Sequence, residues 1–412
     1  MKPRIPTLLF VLAAAVAMLF AAVSTYDFVQ HLDRQLHGIH CSVVPGLGTL
    51  DAKGLSGCHA ALMSPWSSVF RKAIWGGIPI SLPGLAVYAF LLFRGLDLWL
   101  NRRESSPNAT FFLVIASLLP VVTSIVMAIV SLGLVGDTCI HCVGMYVASF
   151  VLLGAALWGW QLARKAGPPA EGEAETVWKP HVLSALEGVG FVLLSGVVYV
   201  LLVPDASAFV GACGELNKPD DPYGIMVPID ANTSEKTMIE IMDPLCPACR
   251  SFHERLEASG LDEKVHHLTL LMPLDNSCNW MVSSAVHPGA CALSEAMLCA
   301  GDKAKAVLDW AFDHQEAIRK AALEDPKGAA DMVTAAFPEL ASCVGTPAVR
   351  SKVNRSLRWA VSNQLPVLMP QVFLEGVRLC DEDTDLGMDF ALSRLIDGKV
   401  ASAPAAGKEE GP

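Results

Sequence analysis

The chain has 412 residues, of which 52% are hydrophobic and only 17% charged, and its formal net charge is −11. The length leaves room for two or three domains. The composition excludes an ordinary wholly water-soluble protein, so part of the chain is expected to face lipid. The acidic balance and the lack of a basic stripe exclude nucleic acid as a partner.

Five apolar stretches are long enough to span a bilayer. They run roughly from Pro6 to Tyr26, Ile78 to Leu98, Phe111 to Val135, Cys139 to Leu162 and Val182 to Val203. The first could be read as a cleaved signal peptide, because Ala21-Ala22-Val23-Ser24 is rich in small residues. Its apolar core is long for that, and a retained helix is the favoured reading. A loop from His31 to Trp75 follows, carrying Cys41 and Cys58 and then Ser64. Gly77-Ile-Pro opens the second span, with Gly84 and Tyr88 after it. The fourth span opens on Cys139-Ile-His-Cys142, and Tyr146 lies one turn further on. Two cysteines one turn apart at a helix start are poorly explained by packing, and a helix N-terminus favours the thiolate. A polar linker, Ala166 to Pro180, leads to the fifth span.

Basic residues set the orientation. Lys2 and Arg4, then Arg94, Arg102 and Arg103, then Arg164, Lys165 and Lys179 fall on one side if every span crosses. By the positive-inside rule that side is the cytoplasm. The long loop and everything after Pro204 then lie outside. Twelve cysteines agree with an oxidising compartment there.

From Pro204 the composition turns to that of a soluble domain. Lys236-Thr-Met-Ile-Glu-Ile-Met alternates like a strand and meets Asp243-Pro-Leu-Cys-Pro-Ala-Cys. Arg250 to Leu256 reads as a helix, His267 to Met272 as a strand, and Glu295 to Val344 as an Ala-rich helical insertion. Met369-Pro-Gln-Val-Phe-Leu-Glu-Gly returns to strand and turn chemistry. The tail from residue 401 to 412 has the composition of a disordered segment.

A strand, then Cys246-Pro-Ala-Cys249, then a helix is a redox signature. Cys246 would sit at a helix N-terminus, where unpaired N–H groups favour a thiolate, and Cys249 could resolve a mixed disulfide. Pro247 suits the first turn because its missing N–H has no partner there. The remaining cysteines, Cys213, Cys278, Cys291, Cys299, Cys343 and Cys380, are expected to be structural. Cys278 with Cys291 and Cys299 with Cys343 are the suggested pairs, while Cys213 and Cys380 either pair or stay free. A half zinc site at Cys246/Cys249, or a Cys2His2 site from His40, Cys41, Cys58 and His59, is the metal alternative. Its spacings fit common patterns poorly, so no metal is expected.

On these motifs, residues from about Ile225 to Lys399 resemble the thioredoxin fold in its DsbA-like form, with Pro370 as the cis-proline facing the dithiol. Pro-Ala stands where strong oxidants of that class place a His. Residues from about Leu8 to Trp160 resemble the vitamin K epoxide reductase (VKOR) family. The resemblance implies a membrane four-helix bundle over 1–165, a cytoplasmic linker and fifth helix over 166–204, an α/β thioredoxin-like domain over 205–400, and a tail. It implies that Cys142 lies beside a quinone, ubiquinone or menaquinone, with Cys139 its partner and Cys41–Cys58 a shuttle pair. Ser64, Tyr146 and Tyr88 would hold the quinone, and Ile80 stands where vertebrate members carry a quinone-contacting Asn.

The expected protein is a disulfide-generating oxidoreductase of a bacterial inner membrane, with its N-terminus cytoplasmic and its thioredoxin-like domain periplasmic. Its partners would be reduced secreted or periplasmic proteins and the membrane quinone pool. An outward-directed reductase would need a cytoplasmic-side dithiol or a second intramembrane pair, and a metal-handling protein would need ligand runs within the spans. Neither feature is found in the sequence.

Overall fold

The structure is a computed structural model that describes residues 4–32, 39–40, 50–51, 57–135, 139–165, 178–230 and 234–398. The chain divides into two compact units, Met1–Pro204 and Asp205–Pro412. Cys41, most of the linker and the tail lie outside the described residues.

The first unit is helical. Helices α1 (Arg4–His31), α3 (Ser81–Leu100), α4 (Pro107–Val130), α5 (Ile140–Lys165) and α6 (Trp178–Leu202) alternate with short elements. Among the described residues, five helices are long and apolar enough to cross a membrane. Helix α1 packs against α3 and α5, α4 against α5, and α6 against α3. Small residues permit the close approaches. Ala14, Ala17 and Ala21 of α1 are fully buried, as expected where membrane helices meet without a hydrophobic drive. Aromatic edges fill the remainder, with Phe90 meeting Phe112 edge-on at 6.1 Å and Phe191 of α6 at 5.6 Å. Arg4 Nε lies 3.4 Å from Glu104 Oε1, so the start of α1 and the α3–α4 turn share one end of the bundle.

Helix α4 starts where its sequence says it should. Ser106 accepts a hydrogen bond from the Ala109 N–H at 3.4 Å, and Pro107 occupies the first turn. Between α1 and α3 run β1 (Ile39–His40), β2 (Leu50–Asp51), α2 (Gly57–Met63), β3 (Ser68–Val69) and β4 (Ile78–Pro79). The second span was expected to open at Gly77-Ile-Pro. Instead Ile78–Pro79 pairs antiparallel with Ser68–Val69, and the helix begins at Ser81. The turn between these strands needs glycine. Gly77 has φ +78°, and a Cβ there would lie 2.5 Å from the Val69 carbonyl oxygen. Tyr199 of α6 donates its hydroxyl to the Gly77 carbonyl at 2.8 Å, and the Trp75 indole N–H donates to the Leu32 carbonyl at 3.3 Å. The loop is thus fastened to both α6 and the end of α1.

The second unit is a five-stranded mixed sheet with helices. Its strands are β5 (Val227–Pro228), β6 (Thr237–Met242), β7 (His266–Leu271), β8 (Gln371–Leu374) and β9 (Val377–Arg378), in the order β5-β7-β6-β8-β9. Only β6 and β7 run parallel. A parallel pair needs a crossover, and α7 (Pro247–Ser259) supplies it. Helices α8 (Ala290–Ala300), α9 (Ala304–Asp313), α10 (Gln315–Glu324) and α11 (Gly328–Ala336) form the inserted block. They are followed by α12 (Pro347–Ser362), against β7 and α8, and by α13 (Met388–Ile396), against α7 and β8. Disulfides join Cys278 to Cys291, Cys299 to Cys343 and Cys213 to Cys380. The last ties the segment after α6 to the end of β9.

Candidate active site

Each unit carries one unbridged Cys-x-x-Cys pair. In the helical unit the pair opens α5. Cys139 is buried, and its thiol is in hydrogen-bonding contact with Cys142 and with the His141 side chain. Cys142 in turn contacts the Tyr146 hydroxyl one turn on. Both cysteines line a cavity of about 380 Å³ that is walled mainly by α1, α2, α3, α4 and α5, with Val192 from α6.

Helix α2 delivers Cys58 to the same cavity, where its sulfur, Cys139 Sγ and a ring nitrogen of His141 lie within 4.8 Å of one another. Cys58 is disulfide-bonded. Cys41 falls outside the described residues. So do the side chains of His40 and His59, and with them the suggested loop metal site.

The three residues expected to hold a quinone all line this cavity. Ser64 is buried just past α2 and donates to the Ala61 carbonyl at 2.9 Å. The Tyr88 hydroxyl is 2.9 Å from Ser149 Oγ, which also accepts from Ser124 Oγ at 3.1 Å and donates to the Met145 carbonyl at 2.8 Å. This chain of hydroxyls fixes the Tyr88 ring at the cavity wall. Ile80 lines the cavity as well, so an apolar side chain stands where vertebrate members of the resembled family carry Asn. The remaining wall is mostly aliphatic, with Pro120, Met127 and Val130 from α4. An apolar slot of this size with a few convergent hydroxyls fits a flat, hydrophobic ring bearing carbonyl oxygens.

Two cavity residues escaped the sequence reading. Asp27 is a buried carboxylate in the last turns of α1, and His141 is buried inside the Cys-x-x-Cys motif. Ionisable residues in apolar helices are the available signal for both.

In the sheet unit, Cys246 is the N-cap of α7 and Pro247 its first residue. The Cys246 thiol is held below its ordinary range, first by the Cys249 hydrogen bond. Its own burial and the Asp243 carboxylate oppose this, and His287 supports it. Cys249 is fully buried, and burial pushes its thiol far above the ordinary range. The pair is therefore asymmetric, with the thiolate favoured at Cys246 and disfavoured at Cys249.

Asp243, three residues before Cys246, organises the loop. It accepts from the Leu245 N–H at 2.7 Å, the Leu274 N–H at 2.6 Å and the His287 ring at 2.8 Å. Glu240, mid-β6 and fully buried, accepts from His253 Nε2 at 2.7 Å and His267 Nε2 at 2.8 Å. Burial alone would raise its carboxyl, but the two imidazoles hold it at about 2. The Met369–Pro370 bond is cis. Gln371 pairs with Ile241, so that register carries Pro370 opposite Met242, where the dithiol loop leaves β6.

No curated protein matches the chain. The family model described as the vitamin K epoxide reductase family, a family of redox enzymes, matches residues 8–157, from α1 into α5, and none of the sheet unit. Over residues 8–157 the chain is therefore similar to the vitamin K epoxide reductase family, and the helical unit that holds this match has the long apolar helices of a multi-pass membrane protein around an unbridged Cys-x-x-Cys pair.

Proposed function

We propose that this chain is a quinone-dependent thiol–disulfide oxidoreductase that forms disulfides in secreted proteins. In this reading the sheet unit is a thioredoxin-like domain of the DsbA-like form, with Pro370 beside its dithiol. Its Cys246–Cys249 disulfide accepts two electrons from a reduced substrate protein, which leaves with a new disulfide. The resulting dithiol attacks the Cys41–Cys58 disulfide, reducing the loop. Cys58 then attacks Cys139, opening Cys139–Cys142, and the second loop thiol closes the loop pair again. The two electrons and two protons now on Cys139 and Cys142 leave through Cys142 to the quinone, ubiquinone or menaquinone, which departs as quinol. Every sulfur step is a thiolate displacement needing alignment and a competent leaving group.

Ser64, Tyr88 and Tyr146 serve to orient the quinone ring by its oxygens. The positive-inside rule supports a reading in which the N-terminus and the α3–α4 turn face the cytoplasm of a bacterial cell. The loop, both dithiols and the sheet unit then work on the periplasmic side of the inner membrane.

The observation that carries the reading is the approach of the Cys58 and Cys139 sulfurs, within 4.8 Å, at the wall of a cavity that also holds Cys142 and Tyr146. Packing alone gives no reason for a loop sulfur and a helix sulfur to meet at an apolar slot. The test is quinone reduction by the full chain in membranes, with a reduced protein as donor. Cys142→Ser is expected to abolish turnover and to accumulate a Cys58–Cys139 bridge. Quinone reduction at the unaltered rate in that variant would refute the assignment.

A further inference from the structure

His141 sits between the two cysteines of the membrane pair and is 3% exposed. A buried imidazole at the head of an apolar helix is costly unless it has a partner or a task. Its partners here are the reacting atoms themselves. One ring nitrogen lies within 4.8 Å of both Cys58 Sγ and Cys139 Sγ, and the ring is in hydrogen-bonding contact with the Cys139 thiol. The Phe20 ring, 6.1 Å away between centroids, closes one side. The other titratable groups around the cavity are Asp27 from α1, Tyr88 from α3, and Cys142 and Tyr146 from α5, while α4 brings none to it. Tyr146 contacts Cys142, which leaves the Cys58–Cys139 side of the cavity to His141.

We propose that His141 is the acid–base catalyst of the sulfur exchange between Cys58 and Cys139, an inference that rests on the relay above. In the first displacement the imidazole takes the proton of the Cys58 thiol as that sulfur attacks Cys139. The Cys58–Cys139 bond forms, the Cys139–Cys142 bond breaks, and Cys142 leaves as a thiolate. In the second displacement the other loop thiolate attacks Cys58. The Cys58–Cys139 bond breaks, and the imidazolium returns the same proton to the departing Cys139 sulfur. The loop leaves oxidised, the membrane pair leaves reduced, and His141 ends as it began. An imidazole suits both halves because it ordinarily titrates near neutrality, below a thiol, and can both accept and donate there. Among the described histidines and carboxylates, His141 alone is grouped with both sulfurs, so Asp27 and His31 do not replace it.

The test uses the full chain in lipid nanodiscs without quinone. The membrane pair is first oxidised with diamide. The protein is then mixed rapidly with a soluble dithiol, quenched in acid, and its cysteine bridges counted by mass spectrometry. At pH 7, His141→Gln is expected to slow the loss of the Cys139–Cys142 bridge by about 100-fold. At about pH 9, where a thiol ionises unaided, the deficit should shrink to a few-fold. An equal deficit at both pH values, or none, overturns the proposal. Should the glutamine variant assemble poorly, His141→Gly with added imidazole provides a second measurement. A rate that rises in proportion to imidazole is expected, and no rise counts against the proposal. Because the bridges are counted without quinone, a chain that never reduces quinone would sink the preceding reading and leave this one standing.

Discussion

Cys246 of the sheet unit has no imidazole within its own Cys-Pro-Ala-Cys motif, yet one acts on it from elsewhere. His287 is held by Asp243 at 2.8 Å, across 44 residues of sequence. Burial pulls its proton affinity down, but the Asp243 hydrogen bond and charge, and then the Cys246 charge, raise it overall. Asp243 works against the Cys246 thiolate and His287 works for it. Removing the imidazole leaves a bare carboxylate beside the sulfur. His287→Gln is therefore expected to raise the Cys246 pKa. The measurement is alkylation rate against pH on the reduced full chain. The variant should lag roughly tenfold at acidic to neutral pH and converge with the parent above about pH 9, where both thiols are ionised. The sign follows from linkage. The folded thiol lies below its unfolded value, so the reduced fold carries this stabilisation above the unfolded value and loses it as pH falls through the folded one. Superimposable alkylation profiles would show that Asp243 and His287 are mere loop fasteners.

At the scale of elements, the two dithiols are set by helix starts, and those starts depend on what packs behind them. Gly144, two residues past Cys142, is where α5 lies against α1. A Cβ there would stand 2.6 Å from the Phe20 ring, and Phe20 in turn touches His141. Gly144→Ala is thus expected to push the Phe20 ring into the imidazole and cut turnover roughly 10- to 100-fold, as displacements of about an ångström do. Adding Phe20→Ala should recover most of that loss in the same quinone-reduction assay. A single variant that works normally would mean α5 slides without cost.

Much of this layer was legible in the sequence. Apolar runs encode spans because length in lipid is their main requirement, and Cys246-Pro247 encodes a helix start because both residues suit one. What stayed hidden depends on elements meeting. Ile78–Pro79 reads as the mouth of a span because composition cannot separate a buried strand from a helix turn, and only its pairing with Ser68–Val69 decides. His141 reads as filler between two cysteines until α2 brings Cys58 beside it. Glu240 reads as the odd charge in an alternating strand until α7 and β7 each supply a histidine.

For the whole molecule, one chain joins a unit of long apolar helices to a sheet unit, each with its own dithiol, and under the proposed relay the covalent link sets how often the two react. A tethered partner acts at an effective concentration of roughly millimolar, whereas the same unit free in a dilute assay acts at its bulk concentration. The proposed relay then makes a quantitative demand. A protease site inserted after Pro204, where the two units divide, lets the assembled protein be cut without altering either site. Before cutting, quinone reduction per molecule should not depend on dilution, because every electron passes within one chain. After cutting, the rate should fall in proportion to dilution, by about 1,000-fold at micromolar protein if exchange with the loop limits turnover. It should return when excess severed sheet unit is added back, and Cys246→Ser in the added unit should remove that recovery. Turnover that ignores both the cut and the dilution would mean that electrons reach Cys139 and Cys142 without passing through the sheet unit. The second dithiol would then belong to a separate task on the same chain.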